Sequence, residues 1–182
     1  MDRDPSLSGL SCGAILRSTD RSLQSLGTDY LDLLYFHVPD DGTPLQESME
    51  AATELVSSGK VRAIAVSNYS TWQMMQQQCI AEKEGLAAPV AAQMMYNLLA
   101  RRIEEECAPF AERFGIGTVV YNPLAGGLLT GRYRHDEQPD EGRFTNRLYL
   151  GRYWHEEQFV AVERLNRIAD EVGTDLRSLA LR

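Results

Sequence analysis

Four short, mostly apolar runs punctuate the chain: LDLLYF at Leu31–Phe36, RAIAVS at Arg62–Ser67, VAAQMM at Val90–Met95 and TVVY at Thr118–Tyr121. None shows a polar/apolar alternation. Such runs suit strands covered on both faces, the parallel-sheet case. Their starts lie about 31, 28 and 28 residues apart. Between them the apolar positions switch to helical spacing. A first helix is predicted over about 14–26. Pro44 to Ser58 carries Leu45, Met49, Ala52, Leu55 and Val56, with Pro44 in the first turn and Gly59 just past the end. Ser70 and Gln73 form a candidate capping box for a helix that stops near Gly85. Ile103, Cys107, Ala111 and Phe114 mark the next helix up to Gly115, and Pro109 should kink it or delay its start. Phe159, Val162, Leu165, Ala169 and Val172 line one side of a helix over His155–Val172, which ends at Gly173, and Thr174 is the expected cap of one more.

The order is a helix, then strand and helix four times. A repeat of about thirty residues is one βα unit, and successive units predict an α/β fold with a parallel sheet joined by right-handed crossovers. One segment breaks the period: residues 123–154 form a long, Gly-rich, charged connection after the fourth strand, a length that usually marks function. Four parallel strands with two open edges read as part of a (β/α)8 TIM barrel, which needs about 250 residues. Both ends look cut, and the 182 residues are expected to be a single domain from the central-to-late part of such a barrel.

Composition narrows the function classes. Lys and Arg total 18 against 26 Asp and Glu, a net charge of −8, which argues against nucleic acid as a partner. The three cysteines, Cys12, Cys79 and Cys107, lack metal-ligand spacing and are odd in number, so neither a disulfide framework nor a zinc cluster is expected; a reducing, cytoplasmic compartment is. No apolar run reaches 18 residues and the first ten lack an apolar leader core, so no membrane span or signal peptide is expected. Asn68-Tyr69-Ser70 matches a glycosylation acceptor, which means little without a secretion signal.

In a parallel αβ fold the strand C-termini open on one face, where sites form. Here those ends carry His37, then Ser67-Asn68, then Gln93 with Tyr96-Asn97 beyond it, then Tyr121-Asn122. One imidazole, several amides, a hydroxyl and an aromatic ring suit an amide-bearing, stackable ligand. The carboxylate cluster of a metal site or a glycosidase is missing, and no metal is expected. Each residue also has a plain structural role: His37 as a hydrogen-bonder, Ser67-Asn68 as a helix cap, Tyr121 as core, the glycines as turn formers. Gln93 is harder to dismiss, because burying an unpartnered amide costs about 1–3 kcal/mol. Their placement at four successive strand ends predicts that His37, Asn68, Gln93 and Tyr121 line one pocket.

The segments GTDYLDLLYFHVPD, GKVRAIAVSNYS, AAQMMYNLLAR and VVYNPLAGGLLTGRY, in that order, resemble the aldo-keto reductases. The loop NPLAGGLLTGR, with GRF at Gly142–Phe144, Tyr149 and Arg152-Tyr153-Trp154, looks most like the aflatoxin-aldehyde and succinic-semialdehyde reductase branch. The likeness runs from about Arg17 to Arg182 and covers about half of the family's barrel. It implies reversible hydride transfer between a nicotinamide cofactor, usually NADPH, and an aldehyde or ketone, a small carbonyl substrate, no membrane partner, and room for a homodimer. It also implies roles. His37 is the catalytic-site histidine that orients the substrate carbonyl. Ser67, Asn68 and Gln93 hold the nicotinamide carboxamide and Tyr121 stacks on the ring. Asn122, Pro123, Leu124, Ala125, Gly126, Gly127, Leu128, Leu129, Thr130, Gly131 and Arg132 wrap the pyrophosphate and ribose, and Arg143 adds a cofactor contact. Tyr149 and Arg152 contact substrate. Arg152 suits a carboxylate, with Tyr149, Tyr153 and Trp154 flanking it to exclude water.

The chain departs from the family pattern in one respect that bears on activity. Of the catalytic Asp, Tyr, Lys and His, only the His falls within these residues, and the late segment that clamps the adenosine 2′-phosphate does not. The Tyr is the general acid, a contribution of about 10²–10⁴-fold. The likeness therefore leaves three readings: a reductase seen in part, a non-catalytic nucleotide-binding module such as the channel auxiliary subunits of this fold, or a truncated scaffold.

Overall fold

The element boundaries follow the hydrophobic pattern closely in a computed structural model, which describes residues 8–137 and 139–182. Residues 1–7, on which part of the leader expectation rests, lie outside the described residues. Four strands, β1 (Leu31–Phe36), β2 (Val61–Ser67), β3 (Ala91–Met95) and β4 (Gly117–Tyr121), alternate with helices. They form one open, parallel sheet in the order β1-β2-β3-β4. β1 pairs with β2 from Leu31↔Val61 to Phe36↔Val66, and β2 pairs with β3 through Ala65↔Ala91, Val66↔Ala92 and Ser67↔Gln93. This is the α/β architecture that the thirty-residue period implies, consistent with part of a (β/α)8 barrel.

The helices are α1 (Cys12–Leu26), α2 (Leu45–Ser57), α3 (Thr71–Glu84), α4 (Cys107–Phe114), α5 (Arg147–Tyr153), α6 (Glu156–Glu171) and α7 (Leu176–Ala180). Ser70 and Gln73 form the expected capping box at α3. Pro109 delays rather than kinks: Arg102–Glu104 make a separate 3-10 turn, and α4 starts at Cys107. Pro109 then sits in the first turn, where its missing N–H has no partner to lose. Asp175, not Thr174, caps α7, accepting from the Arg177 and Ser178 amides at 3.0 and 3.1 Å. Thr174 is taken by the exit of α6, its N–H donating to the Ala169 carbonyl at 2.9 Å.

Contacts divide the chain into two compact units, 8–94 with 104–119, and 95–103 with 120–182. In the first, Phe36 and Leu34 of β1, Ile64 and Val66 of β2 and Ala92 and Met94 of β3 share one sheet face. They pack with Ile15, Ala52, Leu55, Met74 and Ala111 from α1 to α4. In the second, Leu128, Leu129, Phe144, Tyr153, Phe159, Val162 and Leu176 form the core. The long connection is less irregular than its composition suggests. It holds 3-10 turns at Ala125–Thr130 and Arg143–Thr145 and the helix α5, whose cap Asn146 accepts from the Leu148 amide.

The expectation that all four strands are covered on both faces fails at β4. Its residues Gly117–Val120 are exposed, with Val119 at 39% and Val120 at 42%. Adjacent strand residues point to opposite faces, so neither face is covered there. β4 is an edge strand, and α4 directs Cys107, Phe110 and Ala111 into the core beside β2 and β3. No described helix is long and apolar enough to cross a membrane. The three cysteines are free, and no described cluster of His, Cys, Asp and Glu could hold a metal ion.

Candidate functional site

In the first unit the β1–β2–β3 register brings His37, Ser67 and Gln93 to neighbouring strand ends. Ser67 is buried and directly paired with Gln93, which is half-buried and so less costly than a fully buried amide. Asn68 follows Ser67 with φ at +59°, a left-handed backbone that few residues other than glycine adopt. Three bonds hold it there. Its N–H donates to the Gln93 carbonyl at 3.1 Å, and its side-chain Nδ2 donates to the His37 carbonyl at 3.2 Å and to Ser67 Oγ at 3.0 Å. The backbone turn that lifts Asn68 off the strand is therefore tied to both neighbouring strands. The imidazole of His37 is exposed at this end.

Beyond the His37 strand end, Asp40 ties down the β1–α2 connection. Its carboxylate accepts from the Leu10 N–H at 2.7 Å, the Thr43 hydroxyl at 2.9 Å and the Gly42 N–H at 3.0 Å. These bonds, the one from Leu10 foremost, hold its pKa below the ordinary carboxylate value. Tyr69, buried with no partner for its hydroxyl, has its pKa pushed up to about 12, first by burial and then by the charge on Asp40.

The second unit holds the groove that the Gly-rich motif implies. Tyr121, Asn122, Pro123, Leu124, Gly126, Gly127, Arg143 and Tyr149 line a cavity of about 460 Å³. Asn122 repeats the device of Asn68: φ is +62°, and its side chain bonds the chain around it, Oδ1 accepting from the Gly126 N–H at 2.8 Å. Gly126 needs its glycine twice over. Its φ is +70°, and a Cβ there would lie 2.8 Å from Cδ1 of the Tyr149 ring. Arg143 donates to the Tyr149 hydroxyl, and its guanidinium lies 5.2 Å from that ring's centroid, so the exposed Arg143 and the half-buried Tyr149 form one rim.

Several residues of the expected cofactor set serve the groove indirectly. Ala125, Leu128 and Leu129 are fully buried in the core of this unit, so their side chains cannot meet a ligand. The Thr130 hydroxyl donates to the Gly127 carbonyl at 2.7 Å. Gly131 and Arg132 are exposed outside the groove lining, and Arg132 bonds and stacks on Tyr133. The amides of Gly126 and Gly127 are already engaged, with Asn122 Oδ1 and the Leu124 carbonyl. An anionic group in the groove would therefore meet Arg143 rather than those two amides.

Arg152 is half-buried and does not line the groove. Tyr153 and Trp154 do not flank it as a water-excluding wall. Trp154 packs edge-on against Tyr133, Phe144 and Phe159 at 4.9–5.9 Å. Tyr153 is buried, and its hydroxyl accepts from Nδ2 of Asn97 at 3.1 Å and of Asn122 at 2.8 Å. The reason is helical geometry. Tyr153 at the end of α5 and Trp154, its C-cap, turn toward the core, which flexible-loop reasoning could not anticipate. The buried Asn97, which also caps its own turn by accepting from the Leu99 amide at 2.9 Å, was named among the strand-end residues but given no place in the expected cofactor set. Its signal was a place two residues past the end of β3.

Comparison with known proteins agrees with this layout. The profile described as the aldo/keto reductase family matches residues 1–182. The aflatoxin B1 aldehyde reductase member 2 of Rattus norvegicus is 38% identical over 88% of this chain and 46% of its own length. The human aldo-keto reductase family 7 member A3 is 35% identical over 79% of this chain and 45% of its own. A probable voltage-gated potassium channel subunit beta of Arabidopsis thaliana is 34% identical over 97% of this chain and 55% of its own. The chain thus spans about half the length of these relatives. With the family profile spanning every residue and the parallel βα units in place, the chain belongs to the aldo/keto reductase family.

Proposed function

We propose that this chain serves the NADPH-dependent reduction of aldehydes and ketones in a cytoplasmic enzyme, as part of one barrel domain that includes the active-site connection 123–154. The observation that carries this reading is the groove of the second unit. It offers an aromatic ring at Tyr121, a cation at Arg143, and a turn kept free of Cβ bulk at Gly126. That donor set fits a flat heteroaromatic ring joined to a phosphate. When bound, the reduced nicotinamide supplies a hydride to the carbonyl carbon. The chain's own residues bind and orient. Tyr121 offers its ring face, Arg143 neutralises phosphate charge, and the Ser67, Asn68 and Gln93 amide and hydroxyl groups hold a carboxamide. His37 donates a hydrogen bond to the substrate oxygen. The proton that this oxygen takes up comes from the family's Tyr, which lies outside these residues. Arg152 and Tyr149 favour a carboxylate on the substrate, and the active assembly includes a homodimer among its forms.

Titration of the chain with NADPH, read by nicotinamide fluorescence, tests the reading. Saturable binding that weakens in Arg143→Ala and Gln93→Ala is expected, with no aldehyde turnover by the chain alone. Absence of binding would overturn the cofactor reading. Turnover of a carboxy-aldehyde that disappears in His37→Ala would overturn the assignment of the proton donor to another segment. The channel-subunit relative favours a second reading, nucleotide binding without reduction. That reading predicts binding with no turnover even when the missing family segments are supplied.

A further inference from the structure

The hydroxyl of Tyr153 has its whole hydrogen-bonding capacity in use. A phenol offers one hydrogen and two lone pairs. The hydrogen goes to Met95 Sδ at 3.4 Å, and the lone pairs accept from Nδ2 of Asn97 at 3.1 Å and Nδ2 of Asn122 at 2.8 Å. We propose that Tyr153 is a positioning residue: it fixes the side-chain amide of Asn122 and, through it, the turn from Asn122 to Gly127 that lines the groove. The functional half of this inference rests on reading that groove as the nucleotide site.

Matching of donors to acceptors fixes the orientation of the Asn122 amide. With Nδ2 of Asn122 held on the phenol oxygen, Oδ1 is left facing the Gly126 N–H, which it accepts at 2.8 Å. A flipped amide would set donor against donor at Gly126. Asn97 closes the same ring from the other side, because its Nδ2 also donates to the Asn122 carbonyl at 3.0 Å. That carbonyl in turn accepts from the Ala125 N–H at 2.9 Å. The backbone of Asn122 is left-handed at +62° and that of Ala125 at +50°; asparagine tolerates this region, but alanine holds it only when its surroundings impose it. The phenol contacts both asparagine amides, and it stands on α5, a different element from the turn it holds. Removing it leaves two Nδ2 groups short of an acceptor and frees Asn122 to rotate. Gly126 then loses its acceptor, and the turn loses the bond that keeps its glycine against the Tyr149 ring.

The test is amide hydrogen exchange at Gly126 in the chain without nucleotide, comparing the parent with Tyr153→Phe and Asn122→Gly. Tyr153→Phe keeps the ring in the core, so exchange at core amides such as Ala169 should stay as in the parent, while Gly126 exchanges about ten-fold faster, the loss of one net hydrogen bond. Asn122→Gly keeps the left-handed backbone and removes both side-chain bonds, so it should speed Gly126 equally. Adding Tyr153→Phe to Asn122→Gly should then change nothing further. Unchanged Gly126 exchange in Asn122→Gly, or an equal extra effect of Tyr153→Phe in that background, would overturn the proposal, and the first of these holds even if Tyr153→Phe does not fold. The NADPH dissociation constant should rise about five- to twenty-fold in Tyr153→Phe. If the parent chain binds no NADPH, the nucleotide reading falls alone, because the exchange result decides the role of Tyr153 without it.

Discussion

Gln77 offers the clearest test of the energetics. It lies on α3 fully buried, and neither Oε1 nor Nε2 has a hydrogen-bond partner. An unsatisfied buried polar group costs about 1–3 kcal/mol. Methionine has the same chain length and a similar helix propensity, and a volume-conserving swap costs under about 1.5 kcal/mol in packing. Gln77→Met should therefore stabilise the chain by about 1–2 kcal/mol. For a protein of this size that is roughly 3–6 °C in Tm, or about 0.5–1 M in the urea midpoint at an m-value near 2 kcal/mol/M. The next residue is the control. Nε2 of Gln78 donates to the Pro89 carbonyl at 3.1 Å, so Gln78→Met should destabilise by about 1 kcal/mol. Urea unfolding followed by circular dichroism measures both. If Gln77→Met destabilises by as much as Gln78→Met, then the Gln77 amide is satisfied, for instance by an internal water, and the reasoning fails.

Three further substitutions bear on the groove and on pH. Gly126→Ala puts a Cβ 2.8 Å from the Tyr149 ring at φ +70° and should cost about 1–2 kcal/mol from the backbone alone, whereas Gly151→Ala, in open space within α5, should be neutral or gain up to about 1 kcal/mol; equal urea midpoints would refute the close-approach argument. Because the Asp40 pKa is lowered on folding, its contribution is present above the unfolded carboxylate value of about 3.9 and is lost as pH falls through the folded value. Asp40→Asn should thus be less stable than the parent at pH 7, with a gap that closes below about pH 4; a gap independent of pH would show that Asp40 acts by shape alone.

Much of the fold was legible because the signals were local and mutually consistent. Apolar runs placed β1 and β2 to within a residue, and the Ser70–Gln73 pair marked the start of α3. Register then follows from pairing, which is how Ser67 comes to sit opposite Gln93. What was illegible depends on competition or on distance. Thr174 and Asp175 both cap helices well, and the choice falls to Asp175 because the exit of α6 uses the Thr174 amide. The exposure of β4 depends on what flanks an edge strand, which the run TVVY does not encode. Tyr153 reads as an active-site aromatic in a loop until the seven residues of α5 turn it toward Asn97, a partner 56 positions away. The groove residues around Gly126 and Gly127 were visible in the motif, but the fact that the amides of those two glycines are internally engaged was not.

The left-handed asparagine at position 122 also bears on how the chain ages. An asparagine deamidates when the backbone nitrogen of the following residue attacks its side-chain amide carbon and closes a succinimide. Here the following residue is Pro123, whose nitrogen carries no hydrogen to give up, so that ring cannot close in the ordinary way. The other left-handed asparagine, Asn68, is followed by Tyr69 and keeps an ordinary N–H next to its amide. Slow chemical damage at these two turns is therefore steered to the end of β2. The Asn122 amide is spared by the covalent structure of its neighbour rather than by burial.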